Sequence, residues 1–498
     1  MYEQAPEIVA AIDLGSNSFH MVVAHLRKGE LVIVDRLREM VRLAAGLTPA
    51  KHLTLEAQQK AIDCLQRFGQ RLKDMPPGSV RAVGTNTLRV ARNANQFLQL
   101  AEAALGHPIE VIAGIEEARL IYAGVAHSLA TDGKRRMVMD IGGGSTEYII
   151  GVDRVPLRKE SLHMGCVTLS LHHFPDGKIS AKRFRRAVIA AEMELEPMQK
   201  SFRAGQWDEA VGASGTLRTV EKLLLTSGWS KAGITPEGLN RLVDALLAAG
   251  HSDKLALPEL SPDRKPILPG GVAILAATFK SLNIQHMRVA DGALREGLLH
   301  DLLGRINHQD IRDRTVTAMA TRYHVDLEHA ARIKATAKDL LAQVSFLPCG
   351  KIENAGQWLE WAADLHEIGL DIAHSGYHKH SGYIIENADL PGFSRQDQTL
   401  LATLVRAHRR KFPVKLFRDL AAPWNEAAKS MALVLRLAVL LNRSRQVEPP
   451  PPIGMTLTAN CIQLRFPSDW LADHPLTAAD LEQETGYLQG AGIMLVYG

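Results

Sequence analysis

A strand that ends in Asp and runs into a turn of small residues occurs twice in this chain. The copies are AIDLGSNSFHMVV around Asp13 and VMDIGGGSTEYIIGV around Asp140. Each turn follows an apolar run and precedes an alternating one, the order strand, tight turn, strand. The residues after the second turn, Glu147-Tyr148-Ile149-Ile150-Gly151-Val152, are too β-branched and too few for a helix, so a Walker loop or a dinucleotide-binding glycine fingerprint, which needs a helix N-terminus there, is rejected. In a Gly/Ser/Asn hairpin successive backbone N–H groups can point into one concavity and hold phosphate oxygens, while the strand-end Asp can hold a hard cation directly or through water. One such turn alone reads equally well as an ordinary hairpin. Two in matching context predict paired loops clamping a phosphate chain.

The chain has 498 residues, 46% of them hydrophobic, enough to bury several cores in three or four domains. No apolar stretch reaches the roughly 20 residues needed to span a bilayer. The N-terminal residues enter a strand without a basic segment or cleavage site, so secretion is not expected. Cys64, Cys166, Cys349 and Cys461 lack paired or metal-like spacing, which suits reduced thiols in a cytoplasm. A net charge of +4 argues against a nucleic-acid binder. Basic residues nevertheless cluster at Lys182–Arg186, His374–His380 and Arg406–Lys411, and together these runs permit a polyanion track.

Strand-like runs at Ile8–Ile12, Met21–Ala24, Leu31–Val34, Val80–Val83 and Ile109–Ile112, with a helix over Leu55–Leu72, give an α/β first lobe (1–126). A second lobe (127–303) repeats the layout from Met137–Asp140, through the approaches to GASGT and GALREG, and duplicated lobes make a cleft. From about Leu303 helical patterns take over (304–445). The Val447–Pro452 run reads as a stiff linker to a small α/β tail of hairpin, helix and strand (446–498).

The motifs DLGSNSFHM, VGTNTLR, EEARLIYAGV, DIGGGSTE, MGCVTL, GASGT, LPGGVAIL, DGALREG, LHEIGL and HSGYHKHSGYIIENADLPGFS resemble those of the exopolyphosphatase and guanosine pentaphosphate phosphohydrolase family, a branch of the superfamily of actin, hexokinase and the heat-shock chaperone ATPases. The resemblance covers nearly the whole chain. It implies two actin-like, ribonuclease H-like lobes with the active site between them, an all-helical HD-like domain, a small C-terminal α/β domain, and a homodimer.

Hydrolysis of a phosphoanhydride needs an in-line water, a carboxylate to orient or deprotonate it, and cations to absorb charge. Glu117 follows the Ile109–Ile112 strand at the start of a helix, and the resemblance assigns its counterpart the catalytic-base role. Its neighbour Glu116 reads as a helix N-terminus favouring an acid. Asp140 and Glu147 flank the second turn and are expected to share Mg²⁺, with Asp13 facing them, Mn²⁺ as an alternative ion and K⁺ as a monovalent companion. Arg89 offers a planar fork for a terminal phosphate. Donors from Ser16, Asn17, Ser18, Gly143, Gly144, Ser145, Gly215 and Thr216 complete the cradle.

In the helical domain the His-Asp pair of HD hydrolases reads His366-Glu367, with no replacement ligand set apparent. The domain is therefore expected to bind rather than catalyse, with His378, Lys379, His380, Arg406, Arg409 and Arg410 guiding a long phosphate chain. Exopolyphosphatase activity, releasing orthophosphate processively from inorganic polyphosphate, is the leading expectation. Hydrolysis of guanosine pentaphosphate (pppGpp) to the tetraphosphate is the alternative, alone or beside it. A nucleotide-gated assembly protein or sugar kinase is a third reading, disfavoured by the lack of an adenosine-binding signature.

Overall fold

The computed structural model describes residues 7–498 apart from 28–29, 77, 308, 345–353, 421–423, 447 and 459; Cys349 and the first residue of the Val447–Pro452 run lie outside the described residues. The chain divides into two compact units, Met1–Asp310 and Ile311–Gly498.

The first unit holds two five-stranded sheets. One contains β1 (Ile8–Leu14), β2 (Phe19–Arg27), β3 (Glu30–Glu39), β4 (Val80–Gly84) and β5 (Ile109–Val111), in the order β3-β2-β1-β4-β5. The other contains β6 (Arg135–Ile141), β7 (Thr146–Val152), β8 (Val155–Leu162), β9 (Glu209–Gly212) and β10 (Met287–Val289), in the order β10-β9-β6-β7-β8. The topology is duplicated. In each sheet the first three strands form an antiparallel meander and the last two add in parallel. The register repeats too: Asp13 faces His20 across a turn of Gly15-Ser16-Asn17-Ser18, and Asp140 faces Glu147 across Gly142-Gly143-Gly144-Ser145.

The apolar alternation of β1 divides its two faces between two cores. Ala10, Ile12 and Leu14 pack with the buried stripe Ala57, Ala61, Leu65, Phe68 and Leu72 of the helix Leu55–Leu72. Val9 and Ala11 join Val138, Ile149 and Val211 of the second sheet, with the helices Gly114–His127 and Leu294–Ile306 between them. Those two helices join the lobes and cross at almost bare backbone. A Cβ on Gly297 would lie 1.8 Å from the Leu120 carbonyl oxygen, and one on Gly124 would lie 1.9 Å from that of Ala293. Only glycine fits this crossing.

A buried ionic network holds the same seam. Asp301 accepts from Arg81 and Arg119, while Arg119 also pairs with Glu116 at 2.8 Å and Arg305 reaches Glu110 at 3.3 Å. Burial alone would raise the Asp301 carboxyl, but Arg119, Arg81 and Arg305 outweigh it and hold it well below the usual range.

In the second unit helices dominate, among them Leu327–Leu341, Ala355–Leu365, Tyr377–Asn387, Arg395–Ala407 and Trp424–Leu441. The tail forms a sheet of β11 (Gly454–Leu457), β12 (Cys461–Arg465) and β13 (Met494–Tyr497) in that order, with the helix Pro475–Gln489. It does not stand apart: Leu464, Leu481 and Leu495 belong to the same core as Leu433 and Leu437, and buried Arg436 pairs with Glu484. Among the described residues no helix is long and apolar enough to cross a membrane. Cys64, Cys166 and Cys461 are free thiols.

Since added atoms in a closed crossing must displace backbone, Gly297→Ala is expected to destabilise the first unit by about 1–3 kcal/mol. Calorimetry checks this, and an unchanged melting profile would refute the tight crossing.

Candidate active site

The duplicated register sets the site. Both Asp-ended strands, β1 and β6, present their turns to one cavity of about 390 Å³, lined by Asp13, Asp140, Glu117 and the residues of both turns. The turns touch: a Cβ on Gly143 would lie 2.9 Å from Ser16 Cβ, and one on Gly144 would lie 3.2 Å from Ser16 Oγ. Their carbonyls are committed to the fold. Ser16 O accepts from Ala44 N at 2.8 Å, Asn17 O from Arg42 N at 2.8 Å, Gly142 O from Cys166 N at 2.9 Å and Gly143 O from Val167 N at 3.0 Å. The oxygen edge, which would repel a phosphate, is thereby occupied.

Helix N-termini add positive potential. The helix Gly215–Thr226 begins at the wall with Gly215 and Thr216, capped by Ser214, whose Oγ accepts from Leu217 N at 3.2 Å. The helices starting at Gly114 and Leu294 bring Glu117 and Arg295 to the same cavity. Thr216 donates to the Ile141 carbonyl at 3.2 Å, tying the loop after β9 to the end of β6.

Acids occupy the floor. Asp13 is pushed up to about 7 by burial and then by Glu117 and Asp140, with Arg295 opposing. Asp140 is likewise pushed up to about 7 by burial and Glu117, against Arg218 and Arg295. Glu147 is raised well above the usual range by burial, Glu117 and Asp140. Asp13 Oδ1 and Glu147 Oε2 are buried with no hydrogen-bond partner. So many confined carboxylates, some of their oxygens orphaned, suit a cation.

Both segments of the chain match models of one family: residues 22–306 match the Ppx/GppA phosphatase family and residues 311–485 match Ppx/GppA phosphatase, domain III. The chain belongs to the Ppx/GppA phosphatase family. It is similar to a guanosine-5'-triphosphate,3'-diphosphate pyrophosphatase of Aeromonas hydrophila, 40% identical over 97% of both chains. Among solved structures it is similar to a Ppx/GppA enzyme of Aquifex aeolicus, 26% identical with a TM-score of 0.50 over 59% of this chain and 98% of that one. It also shares the fold of an exopolyphosphatase from Cytophaga hutchinsonii, 23% identical with a TM-score of 0.55 over 60% of this chain and 98% of that one.

Within this Ppx/GppA chain, Ser16, Asn17, Ser18, Gly143, Gly144, Ser145, Gly215 and Thr216 all line the cavity with Asp13, Asp140 and Glu117. Two expected residues lie behind it. Arg89 is not in the wall; its guanidinium donates to Glu117 Oε2 at 2.6 Å and to the Ile112 carbonyl at 3.0 Å. In this arrangement it holds the Glu117 carboxylate. Glu147 is fully buried and accepts from Ser161 Oγ at 2.9 Å. Among the described residues Asp13, Asp140 and Glu147 do not gather into a three-ligand set with ligating atoms within 4.8 Å; across the second turn Asp140 and Glu147 face each other in register.

The sequence reading overlooked the cationic wall. Arg36, Arg38, Arg218, Arg264 and Arg295 all line the cavity. Arg218 and Arg295 sit inside or beside quoted motifs, and the two-residue spacing of Arg36 and Arg38 on β3 puts them on one face. Arg264 lies over Gly215, where a Cβ would come 2.4 Å from Nη2, and no local signal announces it.

His20 was also missed. Burial, then Arg295 and Arg38, push its imidazole down to about 3, so it is neutral. Arg295 Nη1 lies 3.0 Å from its Nδ1 and Ser18 Oγ lies 2.8 Å from its Nε2. Since arginine can only donate, Nδ1 accepts and Nε2–H donates to Ser18. The Ser18 hydroxyl proton is left to point elsewhere.

In the second unit His378 is buried, and burial with Arg409 and Lys379 pushes it down to about 4. It is no cation for a track. Arg409 stacks on Tyr377 at 4.5 Å and Arg410 donates to Tyr487 Oη at 3.2 Å, while Lys379 is exposed and His380 and Arg406 are half-buried. His366-Glu367 gains a neighbour the sequence could not supply, His329.

Hydrogen bonds to charged groups contribute about 1.5–3 kcal/mol, so His20→Ala, which releases Ser18, should weaken tripolyphosphate binding by roughly tenfold or more. Calorimetric titration at constant Mg²⁺ checks this; unchanged affinity would remove His20 from the cradle.

Proposed function

We propose that this enzyme hydrolyses the terminal 5'-phosphoanhydride of guanosine pentaphosphate, giving the tetraphosphate and orthophosphate, and that inorganic polyphosphate is its second substrate. The observation that carries the reading is the cavity itself, in which two phosphate-sized turns and five arginines surround a floor of carboxylates. The name of the 40% identical Aeromonas hydrophila relative supports pppGpp ahead of polyphosphate, the reverse of the leading expectation from sequence. The likeness to the Cytophaga hutchinsonii exopolyphosphatase, at 23% identity, supports the fold alone.

In this reading the two turns and the N-terminus of the helix Gly215–Thr226 hold the β- and γ-phosphoryl oxygens through backbone N–H groups and the hydroxyls of Ser16 and Ser18. Arginines neutralise the remaining charge, Arg218 being fixed by the Ala213 and Asp291 carbonyls at 3.3 and 3.0 Å. Glu117 aligns a water with the scissile bond and takes its proton. Arg89 holds Oε2 of that carboxylate, leaving Oε1 to face the water. A bound Mg²⁺ or Mn²⁺ would screen the phosphoryl oxygens as charge shifts to the leaving group. Asp13 and Asp140, with Glu147 behind them, would hold it, since hard divalent cations take carboxylate oxygens.

Orthophosphate release from pppGpp, long polyphosphate and short polyphosphate, measured side by side, tests the substrate order. The expected result is the highest kcat/KM on pppGpp; activity confined to polyphosphate would overturn it. Glu117→Gln should retain binding of either substrate while lowering kcat by about 10²–10⁴. A variant with near-parental kcat would clear Glu117 of the base role.

The raised Asp13 and Asp140 give a pH dependence. Unfolded Asp releases its proton near pH 3.8 but these two hold theirs to about pH 7, so across that window the folded state carries more protons and the metal-free protein loses stability as pH rises. A divalent cation must displace those protons below pH 7 but meets ionised carboxylates above it. Mg²⁺ should therefore raise the melting temperature more at pH 8 than at pH 6, and Asp140→Asn should abolish most of the gain. Equal gains at both pH values would contradict this.

A further inference from the structure

The second unit contains a group of donors that the cleft chemistry does not use. His366 caps the helix Ala355–Leu365 and is 0% exposed. Its Nδ1 lies 2.7 Å from the Ala363 carbonyl oxygen, which can only accept, so Nδ1 carries the proton and Nε2 is a bare lone pair. That Nε2 is buried without a partner and lies 3.9 Å from Glu367 Oε1. His329, in the first turn of the helix Leu327–Leu341 and 3% exposed, likewise has a buried Nδ1 without a partner. One ligating atom from each of His329, His366 and Glu367 lies within 4.8 Å of the other two.

Two buried imidazoles beside a carboxylate, each with an unsatisfied nitrogen, are costly as an apolar core and well suited to a cation. We propose that His329, His366 and Glu367 form a binding site for a divalent transition ion of the zinc type. Nitrogen ligands select such ions over Mg²⁺. With metal–ligand bonds of about 2.0–2.1 Å, two ligands of a tetrahedral ion stand roughly 3.3 Å apart, so the His366–Glu367 pair closes on an ion by a small side-chain rotation. The Ala363 carbonyl already fixes the ring and tautomer of His366, as backbone acceptors do behind metal-bound histidines. Burial lowers both imidazoles from their ordinary values, keeping them neutral and free to ligate.

Arg445 is the competitor. Its guanidinium donates to Glu367 Oε1 at 2.6 Å and to Asp326 Oδ2 at 3.1 Å, supplying the positive charge that an ion would otherwise bring. Entry of a metal would shift Arg445 onto Asp326 alone. The affinity of the site is thus set by a built-in cation, and removing that cation should tighten it. If the cluster were only a hydrated pair of core histidines beside an ordinary ion pair, loss of Arg445 would leave Glu367 unpaired and create no affinity for metal.

The experiment uses the full chain, stripped with a chelator and saturated with Mg²⁺ to fill the carboxylate cleft, then titrated with Co²⁺ and challenged with Zn²⁺. One equivalent of Co²⁺ should give visible d–d absorption displaced by Zn²⁺. Arg445→Met should tighten binding by about tenfold or more, and His329→Gln or Glu367→Gln should weaken it by at least as much. Circular dichroism establishes that the variants are folded, and Arg445→Met tests the idea even where a ligand variant unfolds. Absence of the absorption in both the parent and Arg445→Met, or its survival in folded His329→Gln, would overturn the proposal.

Discussion

The closeness of two backbones is the constraint on which the first unit depends. Gly124, Gly292 and Gly297 let the helices Gly114–His127 and Leu294–Ile306 meet at a separation no side chain could enter. Each helix follows the last strand of its own sheet, so the crossing fixes the two sheets relative to each other. Asp13 and Asp140 are carried on β1 and β6, whose buried faces share a core with those helices. The separation of the two turns is decided at a seam built of glycine. The Asp301 network adds direction to that seam, because a carboxylate shared by Arg81 and Arg119 fits in one alignment only.

Charge is concentrated on this frame in opposed layers. Asp13, Asp140 and Glu147 are each raised by burial and then by Glu117, with Asp140 adding to the rise of the other two, while Arg295 opposes it at both aspartates and Arg218 at Asp140. Without a ligand the balance is incomplete, as the orphaned oxygens of Asp13 and Glu147 record. In the proposed reading an anion bound with its cation would complete both layers at once: the arginines would gain phosphate oxygens and the carboxylates positive charge. Binding and catalysis then draw on one preorganised field, and little has to reorganise as the phosphoryl group departs.

Much of this was legible in the residues. The strand-turn-strand repeat, the first-sheet strands, the Leu55–Leu72 stripe and the cleft-facing turns depend on periodicity and turn chemistry, which are local. Glu116 as a structural acid was legible for the same reason, since its partner Arg119 stands one turn away. What stayed hidden depends on contacts distant in sequence. Arg89 carries the right chemistry for phosphate, but Glu117 claims it across 28 positions. Arg264 reaches the cavity only because Gly215 leaves room for it. The run around His378 looked like a cationic surface because sequence reports charge and not burial. His329 and His366 are 37 positions apart, and only helix packing brings them together.

The exact correspondence of the two hairpins makes their one chemical difference informative. His20 and Glu147 occupy the same register position, each opposite the Asp that ends its neighbouring strand. Two acids at these positions would have put four carboxylates around the turns and left the anion without compensation. A histidine, held neutral by burial and by Arg295, removes one negative charge from the first lobe and converts that position into a donor for Ser18. The first hairpin thereby carries one carboxylate and one neutral donor where the second carries two carboxylates. Duplication alone yields a symmetric pair of hairpins, and the exchange of one acid for a neutral imidazole is where the charge of the two turns becomes unequal.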